Sequence, residues 1–303
     1  MVGGVFMPLP ANSFSLNFVG GAAVTSPVPA PTPPKALTIA GSDSGGGAGI
    51  QADLKTFAAH GVYGSSALTA ITAQNTLAVT AVHNIPIDVI AAQIDAVMED
   101  IGADAVKTGM LSSSEIVNTV ALAVQRHGIE HLVVDPVMVA KSGDRLLQED
   151  AVQAVINQLL PLAYVVTPNI PEAEVLAGVA VHNEHEMIDA AKRIAERGPR
   201  IVIVKGGHLS GPPIDIAFDG STVSYFETPR VNTTATHGTG CTFSSAIAAN
   251  LARGLRVQDA IEQAKQYLYR SLLNAFEIGG GHSPVHHFHQ MWSPRDVEHP
   301  AGK

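Results

Sequence analysis

From residue 35 onward, short apolar runs rich in Val, Ile and Ala alternate with segments in which apolar residues recur at helical spacing. The short runs predict strands buried on both faces, and the longer segments predict amphipathic helices. Strands are predicted at about 36–40, 65–72, 103–107, 131–134, 163–167, 201–205, 214–218 and 222–226. Helices are predicted at about 49–60, 86–97, 112–128, 149–160, 240–253 and 257–276.

Repeated alternation of strand and helix along one chain predicts the α/β fold class. We expect three layers, in which a mostly parallel central sheet has helices on both faces. Asp219 and Gly220 should join the last two strands as a hairpin, because Asp-Gly favours tight hairpin turns. Ser112 with Glu115 predicts a capping box at the start of the third helix, which should stop near Gly128.

The first 34 residues differ in composition from the rest of the chain. They are rich in Gly and Pro, and in the run 27–34 prolines alternate with small residues. Proline at this density removes backbone donors and favours extended, unpacked chain. We therefore expect a disordered tail at 1–34 and a single domain at 35–303, with no internal repeat.

The composition limits the possible partners and location. The formal net charge is −9 and no cluster of Lys and Arg is present, which argues against nucleic acid as a partner. No apolar run is long enough to span a bilayer, and the absence of positive charge before Lys35 argues against a secretory signal. The one cysteine, Cys241, cannot form an intramolecular disulfide. We expect a cytoplasmic protein that binds neither nucleic acid nor membrane.

Polar and glycine-rich positions follow most of the predicted strands. Ligands of open α/β sheets bind beyond the carboxyl ends of the strands, so these positions predict the ligand site. They are 41–43, 74–75, 107–110, 135–136, 169 and 205–207. Among them, Lys205 either neutralises a phosphate or is a solvated strand end, and its position alone leaves both open.

A first glycine-rich segment, 41–49, lies between the first strand and the first helix. Its spacing does not match the dinucleotide fingerprint G-x-G-x-x-G, because Ile50 occupies the third glycine position after Gly45 and Gly47. So many glycines between a strand and a helix favour a loop whose backbone a ligand approaches closely. The alternative is a flexible turn.

A second glycine-rich segment, 236–243, opens a long apolar helix. Helix N-termini carry free N–H groups and partial positive charge, so Gly238, Thr239 and Gly240 predict an anion hole for a phosphoryl group. Cys241 should lie in the first helical turn, where the pKa of a thiol is expected to fall. The alternative for a lone cysteine is a buried, inert side chain.

The spacing of Asn169 and Glu172 supports two interpretations equally. The pair fits a local helix cap. Glu172 together with Asp135 also fits a Mg²⁺ and phosphate site, because magnesium binds through few carboxylates, with water and substrate phosphates completing its shell. The histidine-rich segment 286–289 has no cysteine nearby, and we expect it to pack at the end of the chain rather than to bind metal.

Taken together, these residues resemble the hydroxymethylpyrimidine/phosphomethylpyrimidine kinase family of thiamine biosynthesis, within the ribokinase-like kinases. The resemblance runs from about residue 37 to residue 292. It rests on the segments LTIAGSD at 37–43, GGAGIQAD at 46–53, AQNT at 73–76, KTGML at 107–111, DPVM at 135–138, KSG at 141–143, KGGH at 205–208, HGTGC at 237–241 and PVHHFH at 284–289. One departure is Ser44, which stands where the family often has proline.

The resemblance implies a ribokinase-like fold and the following catalytic group. Cys241 looks like the general base, at a position where most ribokinase-like sugar kinases carry Asp. Gly238, Thr239 and Gly240 look like the anion hole, and Lys205 looks like the lysine that neutralises phosphate.

The resemblance also implies a set of substrate-binding residues. Gln74 looks like the residue that recognises the aminopyrimidine, since a carboxamide offers a donor and an acceptor side by side. Met110 and Val137 look like the apolar walls around the ring. Gly41 and Asp53 complete this set, although chemistry alone assigns Asp53 no role.

ATP and Mg²⁺ are the implied co-substrate and metal. Asp135 and Glu172 look like the metal group, in part through water. The ATP phosphates are expected to contact Lys205, Asn169, Thr239 and Gly240. A homodimer is also implied.

The expected reaction is phosphorylation of 4-amino-5-hydroxymethyl-2-methylpyrimidine by ATP, followed by phosphorylation of the monophosphate. One alternative is a pyridoxal/pyridoxine kinase, whose substrate is also a flat heterocycle with a hydroxymethyl arm; Gln74 favours the aminopyrimidine, because pyridoxine lacks that amine. Another alternative is a non-catalytic pyrimidine-binding protein, which would have no need of Lys205 or an anion hole.

Overall fold

The computed structural model describes residues 31–138, 149–207, 209 and 211–292. Residues 1–30 of the expected tail lie outside the described residues, so the domain limits 1–34 and 35–303 stay a prediction. The strands are β1 (Lys35–Ala40), β2 (Tyr63–Leu68), β3 (Ala70–Gln74), β4 (Val79–Asn84), β5 (Ala105–Thr108), β6 (Leu132–Val134), β7 (Val165–Val166), β8 (Ile201–Val204), β9 (Ile214–Phe218) and β10 (Val223–Glu227). The α-helices are α1 (Gly49–Ala59), α2 (Ile87–Asp100), α3 (Ser114–Arg126), α4 (Glu149–Ala154), α5 (Ile170–Ala177), α6 (Glu184–Ala195), α7 (Thr239–Ala252) and α8 (Val257–Leu273).

The main sheet has the strand order β10-β9-β8-β7-β6-β5-β1-β2. Neighbours from β8 to β2 are parallel, whereas β9 is antiparallel to β8 and forms the expected hairpin with β10. Alternate strand residues face opposite ways, so Leu37 packs into one apolar core and Ala36 into the other. Helices α2 to α6 cover the first face, and α1, α7 and α8 cover the second. The predicted three-layer α/β fold is confirmed.

The prediction of one strand at 65–72 is wrong, because the chain leaves the main sheet at Thr69. The Thr69 amide donates to Ala40 O at 3.0 Å, and its hydroxyl donates to Met110 O at 2.8 Å. β3 then begins at Ala70 and pairs antiparallel with β4, which was not predicted. Most residues of β4 are exposed, so burial imposes no alternating pattern on its sequence. The β3–β4 ribbon carries Gln74 at the end of β3.

The predicted capping box of Ser112 and Glu115 is wrong by one residue. Ser113 is the N-cap of α3, and its side chain accepts from the Ile116 amide. Ser112 instead donates to Asn84 Oδ1 at 2.8 Å and so ties the start of α3 to β4. The two neighbouring serines compete for one role, and the tertiary contact to Asn84 decides between them.

Two other helical regions differ from expectation. The helix predicted at 149–160 is α-helical to Ala154, π-helical at Val155–Leu159 and 3₁₀ at Leu160–Leu162, where Pro161 interrupts the ladder. Helix α6 was not predicted, although Asn183 caps it by accepting from the Glu186 amide. Within the described part of the chain, no helix is long and apolar enough to cross a membrane.

Candidate active site

A cavity of about 710 Å³ opens at the carboxyl ends of the parallel strands. β1, β5, β6 and β8 end at it, β3 reaches it from one side, and α7 begins at it. The predicted site residues that line it are Gly41, Gln74, Met110, Asp135, Val137, Asn169, Glu172, Lys205, Gly238, Thr239, Gly240 and Cys241. Asp53 does not line it.

The first glycine loop, residues 41–48, is built around the carboxylate of Asp43. Asp43 Oδ1 accepts from the Gly45 amide at 2.8 Å, and Oδ2 accepts from the Gly47 and Ala48 amides at 3.0 and 2.8 Å. His237 Nε2 lies 2.8 Å from the same Oδ2 and links this loop to the second one. These amides are therefore occupied by an anion of the chain itself.

The charge of Asp43 depends on these contacts. Burial raises the pKa of Asp43, but the hydrogen bond and charge of His237 and the Ala48 and Gly45 amides lower it by more, so the pKa lies below its ordinary value. The side chain is 2% exposed. An ionised, buried carboxylate thus fixes the shape of the first glycine loop.

The second glycine loop, residues 236–241, includes the start of α7. Gly238 is the N-cap with a φ of 76°, and a Cβ there would overlap the Gly47 carbonyl oxygen. The amides of Gly240 and Cys241 form no hydrogen bond with a residue that the structure describes. Open amides at the start of a 14-residue helix can bind an anion, which the helix dipole also favours.

Cys241 lies in the first turn of α7 and is partly buried. The prediction that its thiol pKa falls is wrong. Burial raises the pKa of Cys241 to about 11, and the negative charges of Asp53 and Asp135 add to this, while Lys107 and the Gly49 amide act in the opposite direction. The loss of solvent therefore outweighs the positive charge of Lys107.

Lys205 follows β8 and faces Asp135, which follows β6. Lys205 Nζ donates to Asp135 Oδ1 at 3.2 Å, and the lysine side chain is 15% exposed. Burial lowers the pKa of Lys205, but Asp135 and Glu172 raise it by more, so the ammonium stays charged. A Cβ on Gly240 would lie 3.3 Å from Lys205 Nζ, which places this cation beside the open amides of the second glycine loop.

The local cap formed by Asn169 and Glu172 is confirmed. Asn169 Oδ1 accepts from the Glu172 amide at 3.0 Å, and Glu172 Oε2 accepts from the Asn169 amide at 2.8 Å. Burial raises the pKa of Glu172 to about 7; Lys205 opposes this and Asp135 adds to it. When both acids are ionised, Asp135, Glu172 and Lys205 together carry a net negative charge, which favours binding of a cation.

The donor set suits magnesium better than a metal that needs a full protein cage. Within the described ranges, no group of three or more His, Cys, Asp and Glu is placed to hold a metal ion. Asp135 and Glu172 supply two carboxylates in a cavity with room for phosphates. Magnesium is bound in this manner, through one or two carboxylates, water and substrate phosphates.

The cavity lining also includes two apolar side chains, Met110 and Val137, here called the apolar slot, and the carboxamide residue Gln74. Met110 is 9% exposed, and Val137 lies with it along the cavity wall. A Cβ on Gly41 would overlap Met110 Cε, so glycine leaves room for the methionine. The Gln74 backbone is held by Ser44, whose hydroxyl accepts from Gln74 N at 2.8 Å and donates to Gln74 O at 2.6 Å.

Asp53 is buried behind the cavity rather than in it. Both of its oxygens lie 2.9 Å from Lys107 Nζ. Thr38 Oγ1 donates to Oδ2 at 2.6 Å and Ser245 Oγ donates to Oδ1 at 2.5 Å. Every contact of Asp53 is thus with the chain, and the structure does not place it where a substrate would touch it.

Sequence reasoning missed a second buried ion pair in the cavity wall. Lys265 Nζ donates to Asp215 Oδ2 at 2.6 Å and to Pro213 O at 2.9 Å, and the Gly206 amide donates to Asp215 Oδ1 at 3.0 Å. The signal was present in the sequence, because Asp215 interrupts an apolar strand and Lys265 interrupts an apolar helix face.

The C-terminal histidines pack against the helices. His287 is buried, with its Nε2 3.0 Å from Thr242 Oγ1, and its carbonyl accepts from the Tyr267 hydroxyl at 2.6 Å. Burial lowers the pKa of His287 to about 3, and nearby Lys55 adds to this. The segment 286–289 therefore packs against α7 and α8.

An open anion site beside a charged lysine and two acidic residues, in one cavity with an apolar slot, is an arrangement that serves phosphoryl transfer to a small acceptor. The fold and the cavity define a small-molecule kinase. Comparisons with known proteins place it more narrowly. The model of the phosphomethylpyrimidine kinase family matches residues 43–286, and the chain belongs to this family.

Two relatives by sequence show how far the similarity extends. The hydroxymethylpyrimidine/phosphomethylpyrimidine kinase of Rhizobium meliloti is 53% identical over 261 residues, which cover 85% of this chain and 98% of the relative. The thiamine biosynthesis bifunctional protein ThiED of Geobacter sulfurreducens is 51% identical over 261 residues, which cover 86% of this chain and 53% of the relative.

Solved structures agree on the ribokinase-like fold. An ADP complex of Bacillus subtilis pyridoxal kinase has a TM-score of 0.81 at 41% identity and covers 86% of this chain and 99% of that one. Phosphomethylpyrimidine kinase from Clostridium difficile 630 has a TM-score of 0.71 at 46% identity and covers 78% and 99%. Pyridoxal kinase from Staphylococcus aureus in complex with AMP-PCP and pyridoxal has a TM-score of 0.80 at 37% identity and covers 86% and 95%.

Proposed function

We propose that this protein transfers the γ-phosphate of ATP to 4-amino-5-hydroxymethyl-2-methylpyrimidine and then phosphorylates the monophosphate to the diphosphate, in thiamine diphosphate biosynthesis. One observation carries the proposal: Gln74 and the apolar slot lie in the same cavity as Lys205 and the open amides of α7. Relatives that bear the name of this kinase, at about half identity over most of the chain, support it.

The pyrimidine ring is proposed to lie between Met110 and Val137, with the Gln74 carboxamide on its amine and ring nitrogen. Its hydroxymethyl arm then points towards Cys241. The thiolate of Cys241 is a minor form in the empty cavity, because burial raises the thiol pKa to about 11. The hydroxyl proton passes to this thiolate while the oxygen bonds to the γ-phosphorus and the bond from that phosphorus to the ADP oxygen breaks. General-base help of this kind is typically worth about 10²–10⁴-fold.

The larger share of catalysis is assigned to electrostatics. Lys205 and the amides of Gly240 and Cys241 are proposed to bind the oxygens of the transferring phosphoryl group, where charge develops. Gly238 and Thr239 belong to the same loop. Asn169, which forms a β-bridge with Lys205 and lines the cavity, is proposed as a further phosphate contact. A preorganised donor of this type is worth on the order of 10²–10³ in turnover.

ATP use is supported by the ADP and AMP-PCP complexes among the structural relatives. Asp135 and Glu172 are proposed to hold Mg²⁺, in part through water. When bound, the metal supplies positive charge to the phosphates. Asp53 is fully buried and does not line the cavity, so it is not among the proposed substrate contacts.

Pyridoxal kinase is the second candidate, because pyridoxal kinases are among the similar structures. Both substrates are flat heterocycles with a hydroxymethyl arm, so the slot and the phosphate side would serve either one. The carboxamide of Gln74 matches an amine next to a ring nitrogen, which pyridoxal lacks. This difference favours the pyrimidine.

The test is ADP release with ATP and Mg²⁺ on four acceptors: hydroxymethylpyrimidine, its monophosphate, pyridoxal and ribose. The proposal predicts turnover on the first two, and Gln74→Ala should raise the KM of the pyrimidine more than that of pyridoxal. Turnover mainly on pyridoxal would move the function to vitamin B6 salvage. Tight pyrimidine binding without ADP release would indicate a non-catalytic binding protein.

The cytoplasmic location and the homodimer stay predictions. Light scattering of the purified protein would decide the oligomeric state, and imaging of a tagged copy would decide the location.

A further inference from the structure

Lys107 and Asp53 form an ion pair in the core whose purpose the proposed reaction leaves open. Both side chains are 0% exposed, and the ammonium is bound by both carboxylate oxygens. Replacing a buried ion pair by apolar residues is often neutral or stabilising, so stability alone is a weak reason for this pair. Lys107 nevertheless also forms part of the cavity wall.

A hydrogen bond between α1 and α7 places this pair near Cys241. Ser245, one turn after Cys241 on α7, donates from its Oγ to Asp53 Oδ1 on α1 at 2.5 Å. Lys107 and Cys241 both line the cavity. Residues four apart share one helix face at about 5–6 Å, so Cys241 is a close neighbour of the Asp53 carboxylate and its lysine.

The charges around the thiol come from four elements. Lys107 lies on β5, Asp53 on α1, Asp135 after β6 and Lys205 after β8. Lys205 is engaged by Asp135 and faces the open amides of the second glycine loop. Lys107 has no comparable freedom, because Asp53 binds it with two contacts of 2.9 Å.

We propose that Lys107, clamped by Asp53, is a positioning residue that provides the fixed positive charge stabilising negative charge on the Cys241 sulfur. The use of that sulfur as a base rests on the proposed function, but the electrostatic coupling does not. The pKa of Cys241 agrees in direction: burial raises it, and Lys107 is the largest opposing charge.

The lone cysteine offers a direct readout. Because Cys241 is the single cysteine of the chain, its alkylation by iodoacetamide can be followed at one site, without nucleotide or pyrimidine. The thiolate is the reacting form, so the pH midpoint of the alkylation rate reports the thiol pKa. The limiting rate at alkaline pH reports accessibility, and the two effects are thereby separated.

Lys107→Met should move the midpoint up by about one pH unit or more, which is a roughly tenfold slower reaction at pH 8.5. Asp53→Asn should move it down, because the charge of Lys107 is then no longer shared. Lys107→Arg keeps the charge and should stay close to wild type. The matched control is Lys265→Met, which breaks the other buried lysine pair, with Asp215, and should leave the midpoint unchanged.

Opposite shifts in Lys107→Met and Asp53→Asn would establish the coupling. Shifts in the same direction, or an unchanged midpoint in either, would overturn it. If Lys107→Met does not fold, the sign of the shift in Asp53→Asn still decides. A protein with this coupling but no pyrimidine kinase activity would refute the proposed function and leave this inference standing.

Discussion

The two glycine loops at the cavity are similar in composition but are completed in different ways. The first closes on its own carboxylate, because Asp43 accepts from three loop amides and pairs with His237. The second leaves the amides of Gly240 and Cys241 without a partner among the described residues. The carboxylate of Asp43 therefore stabilises the shape of the first loop, whereas the second loop can bind an external anion. An acidic residue at the start of a glycine loop, rather than the glycines, marks this difference.

The largest expected effect is the loss of the built-in anion in Asp43→Ala. Loop amides and His237 would be buried without their partner, so the free energy of unfolding should fall by about 3–5 kcal/mol, the cost of breaking a buried charge pair. Urea denaturation measures it. Thr239→Ala in the second glycine loop is the control and should cost under about 1 kcal/mol. Equal losses in both variants would contradict the comparison.

A carboxylate added to the second glycine loop should occupy its open amides, as Asp43 occupies those of the first loop. Thr239→Asp places a negative charge at the start of α7, where it competes with the transferring phosphoryl group, so kcat/KM for ATP should fall by about 10²-fold or more. Stability should not fall and should rise by about 0.3–1 kcal/mol. Kinetics and a thermal melt on the same sample check both. Thr239→Asn is the uncharged control, and an equal loss of activity in it would rule out the electrostatic explanation.

The pH dependence of stability should also show that the first loop contains an ionised carboxylate. The pKa of Asp43 lies below its ordinary value of 3.8, so its carboxylate stabilises the fold above that pH, and this stability is lost as the pH falls through the lowered pKa. Unfolding free energies between about pH 5 and pH 2 should therefore fall more steeply in wild type than in Asp43→Asn, by up to about 1.4 kcal/mol per pH unit. Parallel curves would show that the ionised carboxylate of Asp43 does not stabilise the fold.

The smallest effect concerns Ser44 in the first glycine loop. Its hydroxyl holds both backbone groups of Gln74, so Ser44→Ala should raise the KM of the pyrimidine about threefold to tenfold with kcat nearly unchanged, the worth of roughly one net hydrogen bond. Steady-state kinetics with the pyrimidine and with ATP varied in turn will test this. A change in the KM of ATP alone would contradict the role given to Ser44.

The sequence was sufficient to predict the three layers and most of the cavity wall. Burial dictates the spacing of apolar residues, and the carboxyl ends of parallel strands meet at one edge, so Lys205 and Asp135 were predicted together. The ribbon strand β4 was not predicted, because its side chains face solvent and leave no alternating pattern. The place of Asp53 depends on how α1 packs on α7, which no local pattern records.

The thiol pKa of Cys241 shows a different limit. This pKa is raised by burial and by the negative charge of Asp53, and it is lowered by the positive charge of Lys107. Each influence acts over a few ångströms, so its size depends on tertiary distances rather than on position in the helix. The helix start alone predicted the wrong direction.

The central claim is that a phosphate ligand binds the second glycine loop and not the first. Amide NMR of the labelled protein, titrated with AMP-PCP and Mg²⁺, tests it most directly. The account predicts large shifts for the Gly240 and Cys241 amides and small ones for Gly45, Gly47 and Ala48, which Asp43 already binds. Large shifts in the first loop, with the second unchanged, would contradict it.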